Sequence, residues 1–373
     1  MSEEIKENIP PVPAAEDPVV LPTGEKLVLS SSPHLSSPES TARIMFLVLA
    51  SLLPASIAGI WFFGIKAALV LIFSTFFCVA AEALWCLMVK RPILRTIGDG
   101  SAAVTGLLLG LNLPASVPFY VPLIGAFLAI WLGKQIFGGL GHNPFNPCVV
   151  ARVGLLIALP AAMTTWDLPR GMNDKYPSIQ EFRAQPDAVT CATPLSVAST
   201  TPKVLGKGPD AELNFSSVDN PDTLKAYFLG IKGGCIGEVC VPALLLGGIL
   251  LVMFNLINWK VPVCYIGTVA IITGIVNYFC PGVTPSPLFH IVTGGLLLGA
   301  IFMATDMVTC PITGSGCVLF AVGCGVLTSV IRIWGNYPEG VSFSILFMNA
   351  LVPLIDRWCG VRPFGYTVKH KKD

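Results

Sequence analysis

Charged side chains are scarce in this sequence, because Asp, Glu, Lys and Arg supply only 12% of its 373 residues. A globular chain carries about a quarter. Hydrophobic residues supply 53% and the mean hydropathy is +0.73, which is more apolar surface than one core of this size can hide from water. The composition therefore excludes a soluble protein and indicates an integral membrane protein. The formal net charge of +1 provides no concentrated basic face, so nucleic acid is not an expected partner.

Several familiar cofactor and metal patterns are also absent. Neither G-x-G-x-x-G nor a P-loop occurs, so this chain alone is not expected to bind NAD or ATP. The 12 cysteines form no CxxC pair and nearly all lie in apolar runs, which excludes a secreted disulfide framework and predicts no metal site. The evenly spaced Cys310, Cys317 and Cys324 either line one helical face toward a cluster shared with a partner or are small buried hydrophobes.

The apolar runs predict an all-α membrane protein with about ten transmembrane helices. Residues 1–42 form a polar tail that lacks the apolar segment of a signal peptide. The runs 101–113 and 291–304 are too short to cross a bilayer as straight helices, so broken or half-length helices packed inside the protein are expected there. The predicted spans are residues 44–63, 67–89, 101–113, 119–137, 148–163, 239–258, 261–280, 291–304, 315–334 and 341–356.

The distribution of Lys and Arg predicts that both termini are cytoplasmic, since the short connections and tails on that side hold most of these residues. Two five-span halves that enter the membrane from opposite sides form inverted repeats. TGLLLG at 105–110 and TGGLLLG at 293–299 are either a trace of that repeat or a coincidence in Gly- and Leu-rich sequence. The predicted organisation is a cytoplasmic tail (1–42), a five-span half (43–163), an extracytoplasmic loop (164–226), a second five-span half (227–356) and a basic cytoplasmic tail (357–373).

The predicted external loop contains a turn-forming stretch at residues 187–195, DAVTCATPL, whose threonines can cap the next helix. This stretch resembles the flavinylation motif, in which an acidic residue precedes Ser/Thr-Gly-Ala-Thr and the last threonine is joined to flavin mononucleotide (FMN) through a phosphoester. The resemblance implies that Thr193 is the acceptor and that Asp187, Thr190 and Ala192 are recognition residues for a flavin transferase. Cys191 stands where the motif usually has glycine.

Four further segments resemble one family of membrane electron carriers. They are residues 32–45 at the entry to the first span, GGLGHNPFNP at 138–147, GGCIGE at 233–238 and RIWGNYPEG at 332–340. As a set they resemble, over residues 30–365, the D subunits of Rnf ion-translocating ferredoxin:NAD oxidoreductases. The B subunits of sodium-pumping NADH:quinone reductases share this plan and are the alternative, although those subunits are typically longer and have a different N-terminal region.

The resemblance implies a multi-pass subunit of the bacterial inner membrane, in a complex that moves Na⁺ or H⁺ as electrons pass between ferredoxin and NAD. A tether on Thr193 would keep one flavin near its partner carrier at the outer surface. The implied partners are subunits with iron–sulfur clusters, with a second covalent FMN and with the NADH-reacting site, and the chain has no complete catalytic activity alone. A noncovalent riboflavin occurs in the sodium-pumping relatives, so a second flavin beside Asn143 and Asn146 is a further expectation.

Ionisable residues within or at the edges of the spans must face protein or water, because they are costly in hydrocarbon. Glu82, well inside the second span, and Glu238 are candidates for the ion path, with a paired structural charge as the alternative. Arg152 and Glu238 are expected to pair with each other or to steady a cofactor phosphate. The full set is Glu82, Asp99, Arg152, Glu238, Asp306 and Asp356, of which Asp99 and Asp356 lie at span ends, where a structural role is expected.

The alternative from another functional class is a solute channel that resembles the urea transporters. Inverted five-span halves with broken helices also suit a pore. The two hypotheses differ in a simple observable, because a flavoprotein subunit keeps its covalent flavin after denaturation, whereas an isolated channel carries a substrate flux.

Overall fold

The computed structural model of the protein describes residues 40–167, 169, 193–198, 219–280, 283–335 and 339–360. These residues are predominantly helical, which confirms the predicted all-α membrane fold. Most of both predicted tails and of the predicted external loop, including Asp187, Thr190 and Ala192, lies outside the described residues.

Ten apolar helices in the described part of the chain follow the ten predicted spans. They are α1 (Thr41–Phe63), α2 (Ile65–Val89), α3 (Ser101–Leu111), α4 (α-helical over Tyr120–Phe127 and π-helical over Leu128–Gln135), α5 (Pro147–Ala158), α6 (Val241–Met253), α7 (Lys260–Phe279), α8 (α-helical over Leu296–Leu298 and π-helical over Gly299–Met303), α9 (Gly314–Trp334) and α10 (Val341–Trp358). Connecting helices lie between them at Ile93–Ile97, Pro160–Met163, Pro221–Leu229 and Pro287–Val292, and residues 194–198 form one more turn of helix.

Side-chain caps and proline set several of the helix starts. At the start of α1 the Ser40 hydroxyl accepts a hydrogen bond from the Arg43 backbone N–H at 3.2 Å. At the start of α5 the Asn146 side chain accepts one from the Cys148 N–H at 3.0 Å, and Pro147 takes the first helical position. Such caps satisfy N–H groups that the helix itself leaves unpaired, and proline lacks the N–H that would be unpaired there.

The lengths of the helices divide them into two classes. α1, α2, α7, α9 and α10 are long and apolar enough to cross a membrane on their own. α3 has 11 residues, which at 1.5 Å per residue rise about 16 Å, roughly half of a bilayer core. α8 is shorter still. The prediction of half-length helices at 101–113 and 291–304 is confirmed.

Two spans are shorter than the sequence predicted. The predicted span 148–163 ends as a helix at Ala158, because Leu159 leaves the helical conformation (φ −132°, ψ 56°) directly before Pro160. The predicted span 239–258 is helical only over Val241–Met253, and Asn255 follows in a left-handed conformation with φ 52°. α5 and α6 are therefore also too short to cross a bilayer alone.

The helix contacts agree with the predicted inverted repeat. In the first half α2 packs against α3 and α4, α1 against α3, and α4 against α5. In the second half α7 packs against α8 and α9, α6 against α8, and α9 against α10. Between the halves α1 packs against α6 and α5 against α10, so that corresponding helices meet each other, as a two-fold relation between the halves requires.

The segment that precedes α6 folds into the helical bundle. The backbone N–H groups of Ile236 and Gly237 donate hydrogen bonds to the carbonyls of Leu113 and Leu111 at 3.1 and 2.8 Å. Residues 232–239 are all buried. Because the last carbonyls of a helix have no partner inside it, this loop satisfies the end of the half-length α3 within the membrane region.

The contact between α2 and α3 depends on Gly106. A Cβ at this position would lie 2.6 Å from the Cα of Thr75 and 2.8 Å from the carbonyl oxygen of Ser74, and neither backbone atom can move without shifting α2. We expect Gly106→Ala to destabilise the fold by about 1–3 kcal/mol, measured as a lower melting temperature of the purified protein in detergent. Gly267→Ala in α7 is the matched control, because a Cβ there meets nothing within 4 Å. Equal stability of the two variants would contradict this account.

Candidate functional site

Thr193 caps the short helix 194–198. Its hydroxyl oxygen accepts a hydrogen bond from the Ser196 backbone N–H at 3.1 Å, and its carbonyl accepts one from the Ser196 hydroxyl at 2.8 Å. The residue is only 5% exposed. The threonine at the acceptor position of the flavinylation motif is thus a helix N-cap, which agrees with the capping role expected for the threonines of this stretch. Its hydroxyl oxygen lies at the positive end of a helical turn.

The helix 194–198 packs on the bundle through apolar side chains. Leu195 and Ala198 form a buried cluster with Tyr227 and Phe289, and the aromatic rings of the last two meet edge to face. Leu195 also packs against Gly294, which adopts a left-handed conformation with φ 70° just before α8. The helix that Thr193 caps therefore packs, through Leu195, beside the N-terminal end of the half-length helix α8.

A buried arginine also lies beside Gly294. Arg332, in α9 and 5% exposed, has its guanidinium against the position that a Gly294 side chain would occupy. It donates hydrogen bonds to the carbonyls of His290 (2.7 Å), Thr293 (3.4 Å) and Glu339 (3.3 Å). This arginine lies near the end of the predicted span 315–334, and the structure places its guanidinium inside the protein near Leu195.

A second set of buried charges, the Arg152 cluster, consists of Arg152, Cys235, Glu238 and Glu339. Arg152 forms an ion pair with Glu339 and donates to Cys235 Sγ at 3.0 Å. Glu238 Oε1 accepts from the Cys235 N–H at 3.0 Å, and Glu238 Oε2 and Glu339 Oε1 have no hydrogen-bond partner in the described part of the chain. Arg152 and Glu238 thus lie in one cluster and interact electrostatically, but the ion pair of Arg152 is with Glu339, which the loop before α10 brings to the guanidinium. The alternative, that the two residues steady a cofactor phosphate, stays a prediction.

The Arg152 cluster and its neighbours carry more positive than negative charge. Lys232 is 1% exposed, donates to the carbonyl of Val292, and interacts electrostatically with Glu238, as does Arg332. Among the described residues this group therefore contains three cations, Arg152, Lys232 and Arg332, against the two carboxylates. An unbalanced positive charge in a desolvated place favours an anion there.

Three potential metal ligands also meet in the Arg152 cluster. Sγ of Cys235 and one carboxylate oxygen each of Glu238 and Glu339 lie within 4.8 Å of one another. Arg152 already binds both Sγ of Cys235 and Glu339, so a metal ion would have to compete with a guanidinium for the same atoms. The local charge is better suited to an anion than to a metal cation.

A third buried site, the Glu82 site, consists of Glu82, Lys134, Gln135 and Ser101. Glu82 in α2 is 0% exposed, and its Oε1 accepts from Lys134 Nζ at 2.6 Å and from Gln135 Nε2 at 2.7 Å. Lys134 also donates to the Ser101 hydroxyl at 2.6 Å, and Ser101 in turn donates to Asp99 at 2.6 Å. The ion pair with Lys134 agrees with a structural charge, whereas Oε2, which has no partner among the described residues, leaves an atom for an ion path. Both interpretations of Glu82 therefore stay open.

The residues predicted to approach a second flavin line a cavity of about 110 Å³. The Asn143 amide donates to the carbonyl of Phe145 at 3.0 Å, and the Asn146 amide donates to that of Met303 at 3.1 Å. A site of this size holds several water molecules. The second flavin stays a prediction that the amide contacts do not favour.

The remaining ionisable candidates have local structural roles. Asp99 accepts from the Ser101 N–H at the start of α3 at 2.8 Å, and Asp356 accepts from the Ile312 N–H at 3.1 Å. Asp306 accepts from the Thr309 hydroxyl at 3.1 Å. The sequence did not predict that Lys134 is a buried partner of Glu82, or that Lys232 is buried and bonded to the carbonyl of Val292. Lys134 stands inside the predicted span 119–137, and a lysine within an apolar run was the signal that could have identified it.

The comparisons with known proteins cover nearly the whole chain. The NQR2, RnfD, RnfE family model matches residues 28–365. The D subunit of the proton-translocating ferredoxin:NAD(+) oxidoreductase complex of Clostridium ljungdahlii is 43% identical over 337 residues, which are 90% of this chain and 96% of that protein. The D subunit of the ion-translocating oxidoreductase complex of Stutzerimonas stutzeri is 42% identical over 340 residues (89% and 94%). The D subunit of the Na(+)-translocating ferredoxin:NAD(+) oxidoreductase complex of Acetobacterium woodii is 39% identical over 349 residues (93% and 98%).

Proposed function

Because the chain belongs to the NQR2, RnfD, RnfE family, we propose that it is the membrane-embedded RnfD component of an ion-translocating oxidoreductase complex that passes electrons between ferredoxin and NAD. The observation that carries this proposal is similarity from end to end with proteins named as D subunits, each matched over at least 94% of its own length. These relatives favour RnfD over the corresponding component of a quinone reductase. One relative is named for protons and another for Na⁺, so the transported ion is not part of the proposal.

We further propose that Thr193 carries FMN through a phosphoester. The surplus positive charge of the group that contains Arg152, Lys232 and Arg332 supports the assignment, since a phosphodiester brings one negative charge. Of these three cations, Arg332 lies next to Gly294, against which Leu195 of the helix 194–198 packs. The flavin, when bound, supplies one- and two-electron redox chemistry, and the chain contributes position and electrostatics. Because the Thr193 hydroxyl is buried, the flavin transferase would have to act while the helix 194–198 is undocked.

Helix contacts support the proposed orientation, in which both ends of the chain lie at the cytoplasmic face. Ile44 near the start of α1 lines the same cavity as Asp306, which follows α8. Near the end of α10, Asp356 bonds to Ile312, which also follows α8. The helix 194–198 packs instead against Gly294, which precedes α8. Thr193 would therefore lie at the opposite, extracytoplasmic face, where a tethered flavin could meet the covalent FMN of another subunit.

The ion path remains a proposal based on two buried carboxylates. Lys134 donates hydrogen bonds to both Glu82 and Ser101, and Ser101 lies at the start of α3. Glu238 follows Gly237, whose backbone N–H donates to the carbonyl of Leu111 at the end of α3. The two carboxylates thus lie at opposite ends of a half-length helix. Of the two, Glu82 is better suited to a cation, because the surplus positive charge around Glu238 favours an anion there.

Membrane vesicles from the native host test the proposal. Deletion of this chain should abolish ion uptake driven by reduced ferredoxin and NAD, and a plasmid copy should restore it. The solute-channel hypothesis predicts instead that the purified chain in liposomes carries a flux of a small neutral solute such as urea. Undiminished ferredoxin-driven ion uptake in the deletion strain would refute the proposed function.

A further inference from the structure

The Glu82 site is not saturated in the arrangement described above. Both of its donors, Lys134 Nζ and Gln135 Nε2, bond to the same oxygen, Oε1, while the equally buried Oε2 has no donor in the described part of the chain. A buried carboxylate oxygen without a partner is costly unless a proton or a cation reaches it. The site therefore has a free ligand atom directed into a desolvated space.

Lys134 connects this carboxylate to the cavity. The residue lines the cavity of about 110 Å³, and its ammonium also donates to Ser101 Oγ. The charged side chains that line the cavity are Lys134 and Asp306, so the cavity holds one cation and one anion. Lysine is a compact charge on a flexible stem. Its ammonium can therefore leave Glu82 toward the cavity without entering lipid.

The backbone that carries both donors has an unusual form. Lys134 and Gln135 are the last two residues of the π-helical segment Leu128–Gln135. π-helical segments are rare and occur frequently at functional sites. Conversion of the segment to α-helix would change the register by one residue and turn the side chains at its C-terminal end, Lys134 and Gln135, by about 100°. One local change would thus withdraw both hydrogen bonds from Glu82 together.

The side of α2 that carries Glu82 offers further polar ligands. Ser74, Cys78 and Glu82 follow one another at intervals of one helical turn and are all 0% exposed. The Ser74 hydroxyl oxygen is, like Glu82 Oε2, without a hydrogen-bond partner among the described residues. Gly106 of α3 packs directly on this face. The other ionisable groups near the site are Asp99, bonded to Ser101, and the thiols of Cys78 and Cys148.

We propose that Lys134 is a tethered counter-cation, which occupies Glu82 in the state described here and gives way to a free monovalent cation when it withdraws toward the cavity. The exchange keeps the buried site neutral, because one positive charge replaces another at the carboxylate. It also gives Glu82 a specific part in an ion path. The proposal rests on the proposed function only in that electron transfer would drive the exchange. The ion pair between Lys134 and Glu82 is a property of this chain.

Carbodiimide labelling of Glu82 tests the proposal in native membranes. Dicyclohexylcarbodiimide modifies protonated carboxyl groups in apolar surroundings, and mass spectrometry of the Glu82 peptide measures the modified fraction. We expect Lys134→Met to raise labelling about tenfold over the resting wild type, because loss of a paired charge favours the protonated carboxyl. Added Na⁺ should lower this labelling, whereas equal choline should not. Lys260→Met, at the start of α7, is the matched control, and Glu82→Gln marks the background.

Two results would overturn the proposal. Labelling of Lys134→Met that equals wild type would show that Lys134 does not occupy Glu82, and labelling that neither Na⁺ nor K⁺ lowers would show that only a proton binds there. If Lys134→Met fails to fold, the wild-type complex is compared at rest and during turnover with reduced ferredoxin and NAD. If labelling of Glu82 is the same at rest and during turnover, the proposed exchange of Lys134 for a free cation is refuted. If the complex transfers no electrons between ferredoxin and NAD, the proposed function is refuted instead.

Discussion

Thr193→Val should abolish the flavin fluorescence of this chain in a denaturing gel under ultraviolet light. Valine is nearly the same size as threonine but has no hydroxyl to form a phosphoester. The lost N-cap hydrogen bond costs about 1 kcal/mol in a helix of five residues, which is too little to unfold the bundle. The chain should therefore reach the membrane in normal amount without flavin, and coupled electron transfer by the complex should fall to background.

Three companion variants make this prediction specific. Thr201→Val removes a nearby hydroxyl outside the motif and should keep full fluorescence. Thr193→Ser keeps a hydroxyl and should keep part of it. Cys191→Gly restores the usual motif residue and should label at least as well as the natural chain. Fluorescence that persists in Thr193→Val would assign the flavin to another residue, and a fully active complex with an unmodified Thr193 peptide would remove covalent FMN from the account.

Arg152→Met should destabilise the chain by about 2–4 kcal/mol, because it leaves Glu339, whose side chain is only 19% exposed, as a partly buried charge without its partner. The guanidinium also donates to the Asn112 carbonyl at the end of α3 and to Cys235, so its loss removes contacts among α3, α5 and the loops before α6 and α10. The measurement is the fraction of protein that remains monodisperse in detergent after heating.

An exposed ion pair supplies the control for this prediction. Lys66 pairs with Asp167 at 3.5 Å, but the lysine side chain is 63% exposed, and such surface pairs contribute about 0–1 kcal/mol. Lys66→Met should therefore have little effect. The double variant Arg152→Met/Glu339→Gln should regain much of the lost stability, because the unpaired charge is gone. If Arg152→Met is no worse than Lys66→Met, the Arg152 cluster does not hold these helices together.

Local sequence predicted the helices well where the signal is local. The uncharged runs located the ten apolar helices of the described residues, and the shortness of 101–113 and 291–304 indicated α3 and α8 correctly. Errors arose at helix ends. Apolar composition continued past Ala158 and Met253, but Pro160 and the left-handed Asn255 ended the helices earlier. Hydropathy reports what lipid or protein can cover, whereas backbone conformation decides where a helix stops.

The sequence predicted single residues of the candidate sites but not the residues that contact them. Thr193 came from a contiguous motif, and Glu82 from a charge inside an apolar run. Their partners did not, because Lys134 lies more than fifty residues from Glu82 in sequence, with Nζ 2.6 Å from the carboxylate, and Glu339 reaches Arg152 from the opposite half of the chain. A single sequence contains no information on which distant side chains meet.

The sequence by itself determined that this chain resides in a membrane, how many apolar helices it forms and which residue resembles a flavin acceptor, since all three depend on composition and short spacing. Only the tertiary structure decided that Thr193 is the buried cap of a helix that packs beside Gly294, that Arg152 forms its ion pair with Glu339, and that Glu82 is held by Lys134 with one oxygen unpartnered among the described residues. The physical reason is that buried charges take the nearest opposite charge that helix packing brings within reach, and packing joins residues that the sequence keeps far apart.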